Sequence, residues 1–253
     1  TESNFWHITK DNYFFKFLKI LGLFILLLLA KPAFAHYLWV ETAATGKQNQ
    51  KQEVRVYFGE YTYGVIEEVA GDAFKGVSDF KLWLVDPSGK KMQLNTTAKK
   101  DHYAAAFTPT KPGAYLVYLE NRNIDVLDYT EYDFGIFKPE YQAFQQVLVN
   151  TKTPVEVKKY TEGLVIKEVS NTIDAVKLQV FYKGKPLTEA EATLSMLDLW
   201  TEKLTTDQSG FLNFKKPFDT KYILEVTHNE QVPGKFKGDA YKFIWHCATY
   251  CNF

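Results

Sequence analysis

One of the five histidines of this chain stands where metal chemistry concentrates: His36 directly follows Ala33-Phe34-Ala35. That triplet is an A-x-A site of the signal-peptidase type. Cleavage after Ala35 makes His36 the first residue, with a free α-amine (pKa ~8) beside an imidazole (pKa ~6.5). Both are nitrogen donors near neutral pH, and together they close a small chelate ring around one transition-metal ion. Upstream, Lys10, Lys16 and Lys19 precede an uninterrupted apolar run from Ile20 to Ala30. Such a run is short for a membrane span, which needs roughly 20 apolar residues. A cleavable signal peptide over 1–35, and with it export, is therefore expected.

The other donors are few. His228 follows the expected strand Lys221 to Thr227 and precedes Asn229 and Glu230, so a loop position open to a metal is expected for it. His246 lies between Trp245 and Cys247 in the closing strand, either as a ligand or as a satisfied core histidine. His102 sits in the polar run Lys99 to Tyr103, where a solvated turn is expected. Glu41 lies five residues after His36, so on a regular strand the two side chains face opposite ways. Glu67-Glu68 is read as a solvated acidic pair in a loop. The two cysteines, Cys247 and Cys251, are about 13 Å apart at ~3.3 Å per strand residue. A disulfide needs Cα atoms within about 7 Å, so unpaired thiols packed in or near the core are expected, the alternatives being a bridge closed by a turn at Ala248 to Tyr250 and a soft-metal role. With neither G-x-S-x-G nor H-E-x-x-H in the sequence, a binding protein is expected rather than an enzyme.

These residues must be positioned by strands. Val54, Val56 and Phe58 alternate with Glu53, Arg55 and Tyr57, and similar short runs rich in Val, Tyr, Phe and Leu recur along the chain. Expected strands are His36 to Thr42, Gln52 to Phe58, Phe80 to Val85, Tyr103 to Thr108 and Gly113 to Glu120, then Leu164 to Val169, Ala175 to Tyr182, Ala192 to Leu199, Phe211 to Phe214, Lys221 to Thr227 and Ala240 to Tyr250. Asp86-Pro87-Ser88-Gly89 and Asp207-Gln208-Ser209-Gly210 carry turn chemistry, an aspartate to cap and a glycine for the unusual dihedral. The fold class is all-β, two antiparallel β-sandwich modules spanning 36–127 and 155–253. The segment 128–154 is read as a linker, with a short helix suggested by Tyr141, Phe144, Val147 and Leu148 after Pro139.

Removing 1–35 takes away four lysines and two acids, leaving 26 basic and 28 acidic residues of the 30 and 30 in the chain. That near balance, with lysine interspersed among acids, argues against a nucleic-acid partner.

Taken in order, several motifs resemble one family: His36-Tyr-Leu-Trp-Val-Glu41, Val56-Tyr-Phe-Gly-Glu60, the Gly184-Lys-Pro-Leu187 and Thr206-Asp207-Gln-Ser-Gly210 turns, Val226-Thr-His228-Asn-Glu230 and the closing Tyr241-to-Phe253 segment. It is the family of periplasmic β-rich proteins described as periplasmic components of nickel or cobalt uptake systems. The resemblance implies a soluble periplasmic protein of immunoglobulin-like or transthyretin-like modules. It would capture nickel or cobalt, with His36, His228 and His246 as ligands and a membrane transporter or envelope protein as partner. Copper handling at a histidine-brace-like terminus, and a metal-free adaptor role, are the competing expectations, with copper or zinc as alternative metals.

Overall fold

The computed structural model describes residues 36–154, 162–172, 174–196, 200–217 and 220–252. The expected signal peptide, and the expected strand positions 197–199, lie outside the described residues. Strands dominate. The first half runs β1 (Tyr37–Glu41), β2 (Gln52–Glu60), β3 (Val65–Ile66), β4 (Lys81–Val85), β5 (Lys91–Gln93), β6 (Thr97–Ala98), β7 (Tyr103–Phe107), β8 (Gly113–Asn121), β9 (Leu127–Tyr129) and β10 (Gly135–Val149). The second half runs β11 (Leu164–Asn171), β12 (Val176–Tyr182), β13 (Lys185–Pro186), β14 (Glu191–Met196), β15 (Thr201–Thr205), β16 (Phe211–Phe214), β17 (Tyr222–Glu230), β18 (Gly234–Phe236), β19 (Asp239–Tyr241) and β20 (Phe243–Asn252). Helix among the described residues is limited to Asp72–Lys75 and two three-residue 3-10 turns.

The strands stack in three layers. A central sheet has the order β15-β14-β17-β20-β10-β8-β4-β5, with β9 beside β10. One outer sheet is β1-β2-β7-β6 with β3 on β2, and the other is β11-β12-β13 with β16 on β12. Because strand side chains alternate between faces, each central strand feeds two cores. Val117, Leu119, Tyr141, Val147, Ile223, Cys247 and Cys251 join the core under β1 and β2. Leu116, Tyr118, Phe144, Leu224, Val226, Ala248 and Tyr250 join the core under β11 and β12.

This layering corrects the expected linker. Residues 135–149 form β10, a 15-residue strand, which pairs in parallel with β20 from Phe137↔Phe243 to Phe144↔Tyr250 and antiparallel with β8 from Gln145↔Val117. The two sandwiches share one sheet, with β10 and β20 at its centre. The helical spacing was a by-product of two-sided burial: Tyr141 and Val147 face one core and Phe144 the other. A strand covered on both faces has no period of two to reveal it.

Both aspartate-capped turns form. Asp86 Oδ1 accepts from the amides of Ser88 and Lys90, and Asp207 Oδ1 from those of Ser209 and Phe211, each at 2.8–2.9 Å. Cys247 and Cys251 are free thiols, both buried on regular strand β20.

Candidate functional site

His36 sits at the entrance to β1, partly buried at the edge of the first core. Its ring lies 5.5 Å from that of Phe58, and its backbone carbonyl accepts from the Tyr141 hydroxyl at 3.1 Å. The ring's Nε2 meets Glu67 Oε1 at 2.7 Å. Glu67 arrives there because its amide donates to Phe58 O at 2.9 Å, extending the β2–β3 pairing by one step. Gly59 permits the tight approach of the two strands, since a Cβ there would lie 2.1 Å from Val65 O. The β1–β2 register ends at Tyr37↔Gly59, and its next rung sets His36 opposite Glu60 on the same face. Burial raises the Glu60 carboxyl above its ordinary range, while His36 charge pulls it back. Its Oε2 is buried and accepts no hydrogen bond.

Beneath this cluster the core carries further ionisable groups. Cys247 donates to Glu225 Oε1 at 3.8 Å. Burial pushes Glu225 up to about 7, against the pull of Lys203, and pushes the Cys247 thiol well up, with Glu225 adding to the effect. At neutral pH that thiol is protonated.

His228 and His246 form a second cluster. They are directly paired on antiparallel β17 and β20, with rings 6.3 Å apart and nearly parallel. Tyr182, reaching across from β12, packs its ring 4.4 Å from His228 and 5.2 Å from His246. His246 is 4% exposed; its Nε2 lies 3.2 Å from Glu230 Oε2 and 3.3 Å from the Tyr182 hydroxyl, and its Nδ1 lies 3.7 Å from Glu140. Burial lowers both imidazoles below their ordinary value; at His228 the neighbouring His246 adds to this, whereas at His246 Glu230 and Glu140 oppose it. Burial also pushes Glu230 up, but hydrogen bonds from Lys183, Tyr182 and His246 outweigh it and hold that carboxyl at about 2. The expected loop at His228 is thus strand: β17 continues to Glu230 because β20 pairs alongside it for nine residues.

The structure brings His228 and His246 together and keeps His36 apart from them. Tyr141 and Cys247 are a registered pair facing the His36 side, whereas their neighbours Glu140 and His246 face the other way. The central sheet stands between. A metal bound at ~2 Å from nitrogen cannot be shared across a sheet layer, since stacked sheets sit ~10 Å apart. Among the described residues, no three His, Cys, Asp or Glu side chains are grouped to hold a metal ion as they stand. Glu41, as expected, faces away from His36: it accepts from Trp39 Nε1 at 2.9 Å and pairs with Lys221. His102 bonds Asp101 at 2.7 Å and packs on Tyr57.

Sequence reasoning passed over Glu60, Tyr141, Tyr182 and Glu140, and set Glu67 aside as solvated. Glu60 lies beyond the expected strand Gln52 to Phe58, and only the observed β1–β2 register, extended by one rung, places it beside His36. Tyr141 and Glu140 lie on β10, whose two-sided burial leaves no local strand signal.

Comparison with known proteins bears on the scaffold more than on these clusters. A search of curated proteins finds no match. A sequence family described as a domain of unknown function, DUF4198, matches residues 33–230, taking in His36, Glu60, Glu67 and the strands from β1 to β17. That match spans well over half of the sequence, and the chain accordingly belongs to the DUF4198 family.

Proposed function

We propose that this protein is an exported, periplasmic metal-binding protein that captures a divalent transition metal, nickel or cobalt, through His36 as its mature amino terminus. It passes the ion to an uptake transporter in the envelope and acts as a binding protein, not as an enzyme. The observation that carries this reading is the Nε2 to Glu67 contact at 2.7 Å. Histidines that ligate a metal commonly give their second ring nitrogen to a carboxylate, which fixes the ring and raises its basicity. With Nε2 engaged by Glu67, chelation falls to Nδ1 and the terminal amine. Tyr141 holds the His36 carbonyl, so the residue is fixed at both ring and backbone. The A-x-A site preceding it in the sequence supplies the amine.

Titration calorimetry with nickel and cobalt tests the proposal on protein beginning at His36. Adding one glycine ahead of His36 removes the amine chelate and should abolish tight binding, whereas His102→Ala should leave it unchanged. Equal affinities for all three proteins would contradict the terminal-chelate reading. Copper(II) and zinc belong in the same titration, because copper(II) outranks the neighbouring divalent ions at nitrogen sites.

A further inference from the structure

We infer that Glu60 supplies the third donor to the ion held by His36, making a two-nitrogen, one-carboxylate set, with Glu67 as the positioning residue that orients the imidazole. This rests on the terminal-chelate reading above. Three observations carry it. Extending the β1–β2 register by one rung puts the two side chains next to each other on one face. Glu60 Oε2 is buried without a hydrogen-bond partner, an expensive condition that folded proteins reserve for a few groups, an absent ion being one recognised cause. Finally, the β2–β3 hairpin brings Glu60 and Glu67 to the same histidine by different routes, Glu67 to Nε2 and Glu60 by strand register.

The donor set also defines the class of ion. A carboxylate with two nitrogens suits borderline divalent cations, while copper(I) prefers thiolate and thioether. The nearby sulfur, Cys247, is buried and bonded to Glu225. The site therefore selects nickel(II), cobalt(II) or zinc(II) over copper(I), and a water or a transporter group completes the coordination.

The test uses protein beginning at His36, titrated with nickel sulfate and, for spectra, cobalt chloride. Loss of an orienting carboxylate costs roughly 10- to 100-fold in affinity, which is the expectation for Glu67→Gln. For Glu60→Gln the loss should exceed that of Glu67→Gln, and the cobalt absorption bands should shift in position. They should not shift in Glu67→Gln. Apo stability of Glu60→Gln should stay close to wild type, because Glu60 is partly exposed and only its Oε2 is buried without a partner. Glu60→Asp, which keeps a carboxylate on a shorter stem, guards against a misfolded Gln variant and should retain measurable nickel affinity. Wild-type affinity and an unshifted cobalt spectrum in Glu60→Gln would overturn the inference while leaving the chelate intact. Failure of the wild-type protein to bind nickel at all would instead overturn the reading on which it rests.

Discussion

Replacing Glu225 by glutamine should make the protein more stable, and more so as pH rises. The carboxyl projects from β17 into the core under β1 and β2, with the Cys247 thiol as its hydrogen-bond donor. Burial moves it from an ordinary 4.5 to about 7. At ~1.36 kcal/mol per pH unit this displacement is worth about 3 kcal/mol. The sign follows from proton linkage: the folded state holds the proton more tightly than the unfolded chain. The associated stability is full below pH 4.5 and is lost as pH rises through 7. Glutamine is neutral throughout and escapes that loss. The side chain keeps some solvent contact, which screens part of the charge, so a gain of ~1–2 kcal/mol at pH 8 is expected, with little change at pH 5. Urea unfolding of wild type and Glu225→Gln at both pH values reads it directly. A stability difference independent of pH, or a glutamine variant less stable at pH 8, would refute the argument.

The His228–His246 cluster gives two further expectations. His246→Ala should cost about 1–3 kcal/mol, because it removes a buried ring bonded to Glu230 and Tyr182, whereas the more exposed His228→Ala should cost less, both read by apo thermal unfolding. Since both imidazoles titrate below their ordinary 6.5, the folded state resists protonation. Stability should therefore fall as pH drops below about 6.5, and a pH series on the His228→Ala, His246→Ala double variant should show a shallower decline. Gly59→Ala should destabilise by roughly 1–3 kcal/mol, as its Cβ would meet Val65 O at 2.1 Å; the same variant should weaken nickel binding by displacing Glu67, measurable by titration.

Parts of the scaffold were legible where an outer strand keeps one wet face. β2 alternates buried and exposed residues from Gln52 to Val56, and Asp86 and Asp207 announce their turns through side-chain chemistry that needs no tertiary context. The central strands were harder. β10 is covered on both faces, so its residues Tyr141, Phe144 and Val147 carry no alternation, and a helical period fits them by accident. Its parallel pairing with β20 joins distant parts of the chain, which no local pattern encodes. The same limit applies to the site. His36 stood out through its neighbours in sequence, but its partners are set by register and by the β2–β3 hairpin. Glu67 looked like an ordinary solvated acid until the hairpin folded it onto the ring. Taken alone, His228 reads as a loop position open to a metal and His246 as either a ligand or a satisfied core histidine. Paired across two strands beneath Tyr182, His246 instead has its bonding met by protein groups.

The central claim is that an exported protein beginning at His36 holds one divalent ion by that terminus. Native mass spectrometry of protein exported through its own leader and purified without chelator, after exposure to equimolar nickel, reads terminus and metal in one spectrum. The account predicts a polypeptide whose first residue is His36, carrying one nickel that is lost when a glycine precedes His36. A different terminus, or a nickel adduct that survives the added glycine, would contradict it.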